Sequence, residues 1–152
     1  MRLGELLIQK KILKKEQLDA AIEEQLLTKE FLGAILMKRN FIKEEDLLAV
    51  LSEQYEMPYV DLRKELIDWE LTLRFSTELV MNKGCMPLRK EETGIVVAIT
   101  NPLDAEVIGL IEREARGEKV KFVLTKLADL QWFIRSYNQR ISLRIQKLLD
   151  ER

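Results

Sequence analysis

A 24-residue segment is written twice within the first 54 positions of the chain. Residues 2–25, RLGELLIQKKILKKEQLDAAIEEQ, align with residues 31–54, FLGAILMKRNFIKEEDLLAVLSEQ, at a constant offset of 29 and without a gap. Nine pairs are identical: Leu3/Leu32, Gly4/Gly33, Leu7/Leu36, Lys14/Lys43, Glu16/Glu45, Leu18/Leu47, Ala20/Ala49, Glu24/Glu53 and Gln25/Gln54. Unrelated segments of this length would share about one or two. In each copy the apolar residues recur at helical spacing, Leu3, Leu6, Leu7 then Leu18, Ala21, Ile22, and Leu32, Ile35, Leu36 then Leu47, Val50, Leu51. Each copy thus reads as a short helix, a turn and a longer helix. The turns fall at Lys10–Leu13 and Arg39–Ile42, where Asn40 suits a left-handed helix end and Lys11 suits it less well. The second helices start near Glu16 and Glu45, with acidic residues in the first turn. A hairpin this small cannot cover its own apolar stripe, so the two copies should pack face to face about an approximate twofold axis.

Beyond Gln54 the pattern changes. Pro58 ends the helix and forces Met57 toward an extended shape, which places a boundary there. Ile67–Phe75 is ambiguous, and Ser76–Met81 reads as a capped helix ending before Asn82-Lys83-Gly84. Cys85–Arg89 and Gly94–Thr100 read as strands joined by a polar turn, the second apolar on both faces like a central strand. Asn101-Pro102 reads as a helix start with the helix running from Leu103 to Ala115, closed by Arg116-Gly117. Lys119–Thr125 alternates like a half-exposed strand, and Thr125 can cap a last helix from Leu127 through Arg140 or beyond. The fold class expected is α+β: an N-terminal pair of α-hairpins at 1–57, then a small α/β sandwich at 58–141 with helices on one sheet face. Residues 142–152 read as a C-terminal helix or linker, and the longer stretch 135–152 carries a net charge of +3.

Composition removes whole classes of function. The chain of 152 residues has no histidine and one cysteine, so histidine triads, common zinc clusters and an internal disulfide are excluded. Cys85 reads as a buried small apolar residue. A net charge of -1 gives no global field for DNA, RNA or an anionic membrane. Glu5 and Gln9 interrupt any signal-like run, and nothing approaches the ~18 consecutive apolar residues of a membrane span, so a reduced cytoplasmic setting is expected. None of the glycines at 4, 33, 84, 94, 109 and 117 begins a phosphate-binding loop, and no carboxylate pair stands out as acid and base. The chain is therefore expected not to be an enzyme.

The repeated RLGxxL...Q pattern, the five-residue spacer Leu26–Glu30, MPYVDL at 57–62, MPL at 86–88 and VVAITNPLD at 96–104 together carry a resemblance. Over essentially its whole length the chain resembles the N-terminal domain of type II secretion and type IV pilus assembly ATPases. The resemblance implies a regulatory and assembly domain that precedes a motor domain, with the tandem motifs of one branch of the family binding cyclic di-GMP. It implies location in the cytoplasm, peripheral to the bacterial inner membrane through partners. Carried over, Arg2 would address a guanine or phosphate, Leu3 and Gly4 would admit the ligand to the backbone, and Gln25 would hydrogen-bond to it. Leu32, Gly33 and Gln54 would repeat those roles, and Leu18, Ile22, Leu47 and Leu51 would carry the purine faces. A dinucleotide with two purines and two phosphates suits two related half-sites, and a planar guanidinium can stack on a base or fork onto a phosphate.

The match departs at three positions. Phe31 stands where the second motif would be basic, and Lys11 and Asn40 replace turn glycines. Phe31 can stack but brings no charge, which predicts weaker binding than in a fully matching member, or none. Other roles stay open for the same residues: hairpin core for the leucines, helix-end capping for Gln25 and Gln54, close helix packing for Gly4 and Gly33. Lys10, Lys11 and Arg39 could add local positive charge or simply face solvent. The alternative function is an adaptor that docks the ATPase on the cytoplasmic domain of an inner-membrane platform protein without a nucleotide.

Overall fold

The computed structural model describes residues 2–151, so Arg152, counted in the tail charge, lies outside the described residues. The chain forms two compact units, Met1–Met57 and Pro58–Arg152.

The first unit is four helices, α1 (Leu3–Gln9), α2 (Lys15–Thr28), α3 (Leu32–Lys38) and α4 (Glu44–Tyr55), with the second helices starting one residue before Glu16 and Glu45. Both turns close the same way. The N–H of Ile12 donates to Leu7 O at 3.0 Å and that of Lys11 to Ile8 O at 2.9 Å; Phe41 and Asn40 repeat this on Leu36 O and Met37 O at 2.9 and 3.0 Å. These are paired Schellman motifs, and their left-handed residues are Lys11 (φ 61) and Asn40 (φ 59).

Between the copies, α1 packs on α4 and α2 on α3. A twofold axis that exchanges the copies converts the first contact into the second, so this pairing is what face-to-face packing of related hairpins requires. Ion pairs obey the same axis. Lys10 Nζ lies 2.8 Å from Glu53 Oε2, and at the equivalent positions Arg39 pairs with Glu24, its Nε donating to Oε1 at 3.0 Å. Lys10 and Arg39, for which local positive charge and plain solvent exposure were both open, are thus engaged by carboxylates across the copy interface.

The second unit holds a three-stranded sheet in the order β1 (Cys85–Glu91), β2 (Gly94–Ile99), β3 (Val120–Leu124). β1 and β2 are antiparallel across the two-residue turn Glu92-Thr93. β2 and β3 are parallel, and the crossover that parallel pairing requires is the helix α7 (Ala105–Glu114). Gly94 (φ 131) sits where a Cβ would lie 2.4 Å from Lys119 O, so only glycine lets the two strands meet there. A single parallel bridge of Tyr59 to Leu124 adds the residues after Pro58 beside β3, a pairing too short to read from sequence.

The remaining helices are α5 (Trp69–Thr72), α6 (Thr77–Asn82) and α8 (Leu127–Asp150). Asp68 caps α5 and Ser76 caps α6 with hydrogen bonds to backbone N–H groups. Thr72 Oγ1 donates to Pro87 O at 2.7 Å beside the register shift of β1, tying α5 to the strand where proline brings no N–H to the ladder.

Ile95–Ile99 is buried at every position, as a central strand apolar on both faces requires. Two local expectations are corrected. Asn101 caps only a turn, its Oδ1 accepting from Leu103 N, and the cap of α7 lies three residues later at Asp104, whose side chain accepts from Val107 N at 3.1 Å. Thr125 does not cap α8; its N–H still continues the parallel ladder to Ile99 O at 3.0 Å, which leaves Lys126 as the cap residue. α8 is continuous past Arg140 and is exposed from 142 onward.

Candidate functional site

The eleven candidate residues all lie in the first unit, and the repeat places them in equivalent spots. Arg2 and Phe31 are the N-cap residues of α1 and α3, Leu3 and Leu32 the first helical residues, Gly4 and Gly33 the second. Leu18 and Leu47 lie in the first turns of α2 and α4. Gln25 and Gln54 lie near their ends.

Each glycine is pressed by the leucine of its own hairpin. A Cβ on Gly4 would lie 2.6 Å from Leu18 Cδ1, and one on Gly33 would lie 2.9 Å from Leu47 Cδ2 and 2.7 Å from Phe31 Cε1. Real Cβ atoms do not approach so closely, so the short first helix crosses the second at a distance that glycine sets. Phe31 therefore folds its ring back over Gly33, while Arg2 at the equivalent position is exposed and has no ion-pair partner among the described residues. The two hairpins thus differ at this position, an exposed guanidinium on one and a ring over glycine on the other.

Burial divides the apolar candidates. Leu3, Leu18, Leu47 and Leu51 are buried, Leu32 is half-buried, and Ile22 is 40% exposed although it matches Leu51 in the repeat. Gln25 Nε2 donates to Glu30 O at 3.1 Å and so anchors the spacer between the copies. Gln54 is half-buried near the end of α4.

Sequence reasoning did not single out the pairs Lys10–Glu53 and Arg39–Glu24. The signal was present, because both copies carry a basic residue in the turn and a glutamate near the end of the second helix. It also missed an open groove of about 650 Å³ at the second turn, lined by Ile12, Met37, Phe41 and Ile42 together with Glu44, Glu45 and Asp46. None of the eleven candidates lines it, and Lys43 shares its wall with the three carboxylates. No cluster of metal-ligating side chains occurs among the described residues, nor any helix long and apolar enough to cross a membrane. Cys85 is buried in the second unit, where burial, with a smaller contribution from Glu114, pushes its thiol up to about 12. It is not a nucleophile at neutral pH.

The model of the MshEN domain matches residues 55–142. The type IV pilus assembly ATPase PilB of Thermus thermophilus is 29% identical over 118 residues, which span 76% of this chain and 13% of PilB. The chain thus corresponds to a small part of that relative. The structure of MshE with cdg superposes with a TM-score of 0.81 at 23% identity, covering 90% of this chain and 99% of that one. The N-terminal domain of XpsE superposes at 0.72 and 21% identity, covering 88% and 92%. The family model lies almost wholly on the α+β unit, whereas the overlap with MshE is long enough to include part of the helical repeat.

Proposed function

The chain belongs to the MshEN domain family, and on that premise we propose that it is the N-terminal regulatory and assembly domain of a type II secretion or type IV pilus ATPase, with cyclic di-GMP held along its two repeat motifs. The observation that carries the reading is the repeat itself. Two hairpins related by a twofold axis present the same elements twice, a helix start with glycine under leucine and a glutamine near the end of the second helix. A ligand with its own twofold symmetry meets equivalent groups in such a frame. Likeness in fold to MshE, solved with cdg, supports the choice of ligand.

The departures set the direction of the affinity. Arg2 is the exposed cation available to a phosphate or guanine edge, and Phe31 offers only a face. Ile22 is the one exposed member of the four proposed purine-bearing positions; Leu18, Leu47 and Leu51 would act from beneath the surface. Calorimetric titration of the whole chain with cyclic di-GMP is expected to show saturable heat, and Arg2→Ala to weaken binding by about tenfold or more, the loss of one charge-assisted contact. Absence of heat at high micromolar ligand rejects the reading, and unchanged affinity in Arg2→Ala rejects the assigned half-site.

Contact with a motor domain and with the cytoplasmic domain of a membrane platform protein is a separate proposal. It is supported by an exposed apolar surface on the second unit. Co-purification of the folded partners tests it, and failure of both to associate counts against assembly.

A further inference from the structure

Both tryptophans of the chain, Trp69 and Trp132, border one exposed trough on the second unit, outside the repeat. Two adjoining grooves share Trp69. One is lined by Leu66, Trp132 and Phe133, and the other runs along α8 past Arg140, Leu143, Lys147 and Leu148. The apolar side chains here are not isolated: Leu66 is 82% exposed, Leu143 69%, Leu148 61% and Trp132 46%. Exposed apolar side chains gathered around a shared tryptophan on a chain that is 34% charged mark a contact surface.

Charge selects the occupant. Along the trough Arg63 is compensated by Asp129 at 3.3 Å, Arg144 approaches Glu70 at 3.9 Å and Glu65 is taken up by Arg89 at 2.7 Å, which leaves Glu151 as the one carboxylate of the lining set against Arg140 and Lys147. The Arg140 guanidinium instead lies over the Trp69 ring, 4.9 Å from its centroid, and neither Arg140 nor Lys147 has a carboxylate partner among the described residues. From Trp132 to Leu148 the floor follows sixteen helical steps, about 24 Å. We propose that this trough receives an acidic amphipathic helix of a partner protein, about four turns long, whose apolar face rests on Trp69 and Trp132 and whose carboxylates meet Arg140 and Lys147. The inference rests on the second unit alone and is independent of the dinucleotide reading of the first.

The two tryptophans make the test direct, because both of the chain's indole emitters border this trough. The probe is a synthetic peptide of about sixteen residues with leucines at i, i+3, i+4 and i+7 and glutamates on the flanks. A matched peptide carries lysine in place of glutamate. Titrated into the whole chain, the acidic peptide is expected to move the emission to shorter wavelength with saturation, while the basic peptide leaves it unchanged. Arg140→Glu and Lys147→Glu are each expected to weaken the acidic peptide by about tenfold. Far-UV circular dichroism checks the fold, and Lys147 lies in the exposed part of α8, so its reversal leaves the core intact. Equal response to both peptides, no response at millimolar peptide, or unaltered affinity in Lys147→Glu overturns the proposal. So does occupation of the trough by a second copy, seen as a dimer mass that the peptide cannot displace. An emission shift with phosphatidylglycerol vesicles but not with peptide also overturns it, assigning the surface to a membrane.

Discussion

Ile22 and Leu51 hold the same place in the two repeat copies, yet Leu51 is fully buried and Ile22 is 40% exposed. Alanine at each should therefore have two different effects. For Leu51→Ala the three carbons lost are worth about 2.4 kcal/mol at about 0.8 kcal/mol each. The site lies on α4 against α1, where the void closes only in part, which raises the loss to about 3–4 kcal/mol. Ile22→Ala removes as many carbons from a position already open to water and leaves no void, so about 1 kcal/mol is expected. Urea unfolding of the whole chain followed by circular dichroism at 222 nm gives the two midpoints. Tryptophan emission follows the second unit separately, since both tryptophans lie there. In a unit of this size each kcal/mol moves the midpoint temperature by about 4–8 °C, so the two variants should be well separated on heating. Losses equal within about 0.5 kcal/mol would refute the unequal burial of the two positions.

Left-handed Lys11 is expected to gain about 0.5–1 kcal/mol of stability on change to glycine, whereas Asn40→Gly, at φ 59, should be nearly neutral; chemical denaturation of both variants compares them. The two cross-copy ion pairs should differ. Arg39→Ala strands a Glu24 side chain that is only 17% exposed and is expected to lose about 1–2 kcal/mol, while Lys10→Ala, whose partner Glu53 is 62% exposed, should lose under about 0.5 kcal/mol, with unfolding midpoints as the readout. The Cys85 thiol, held up at about 12 from an ordinary 9.0, contributes stability that is whole below about pH 9 and is lost as pH rises toward about 12, because the unfolded chain releases that proton first. Native protein at pH 8 should accordingly resist iodoacetamide and react only after urea is added; rapid alkylation of the folded chain would contradict its burial.

What could be read from the sequence follows from where the cause lies. The repeat fixes a local pattern twice, so helices, turns and left-handed positions were legible, and Lys11 was placed correctly by register even though lysine is a poor choice for that geometry. β2 was legible because a strand covered on both faces is apolar throughout. Helix starts were harder: Asn101 and Asp104 are both good caps, and only the turn at Pro102-Leu103 decides between them. Thr125 misled because its hydroxyl favours a cap while its N–H is held by the neighbouring strand. The bridge of Tyr59 to Leu124 pairs distant residues at a single position, through two backbone hydrogen bonds that no local pattern encodes. Within the candidate site, the glycine-under-leucine packing was foreseeable from spacing. The different fates of Ile22 and Leu51 were not, since the repeat gives them one address and tertiary surroundings give them two.

The joining of the two hairpins by a short spacer alters the rules under which they can diverge. Were the hairpins separate molecules meeting as an identical pair, every substitution would fall on both sides of the axis at once, and an arginine could be traded for a ring only by losing it twice. Because one chain carries both, Phe31 stands opposite Arg2 and Arg39 opposite Lys10 without disturbing the shared frame. Linkage thus lets one half keep a charge that the other has exchanged for a hydrophobic face, a lopsided surface that a strict homodimer of hairpins could never display.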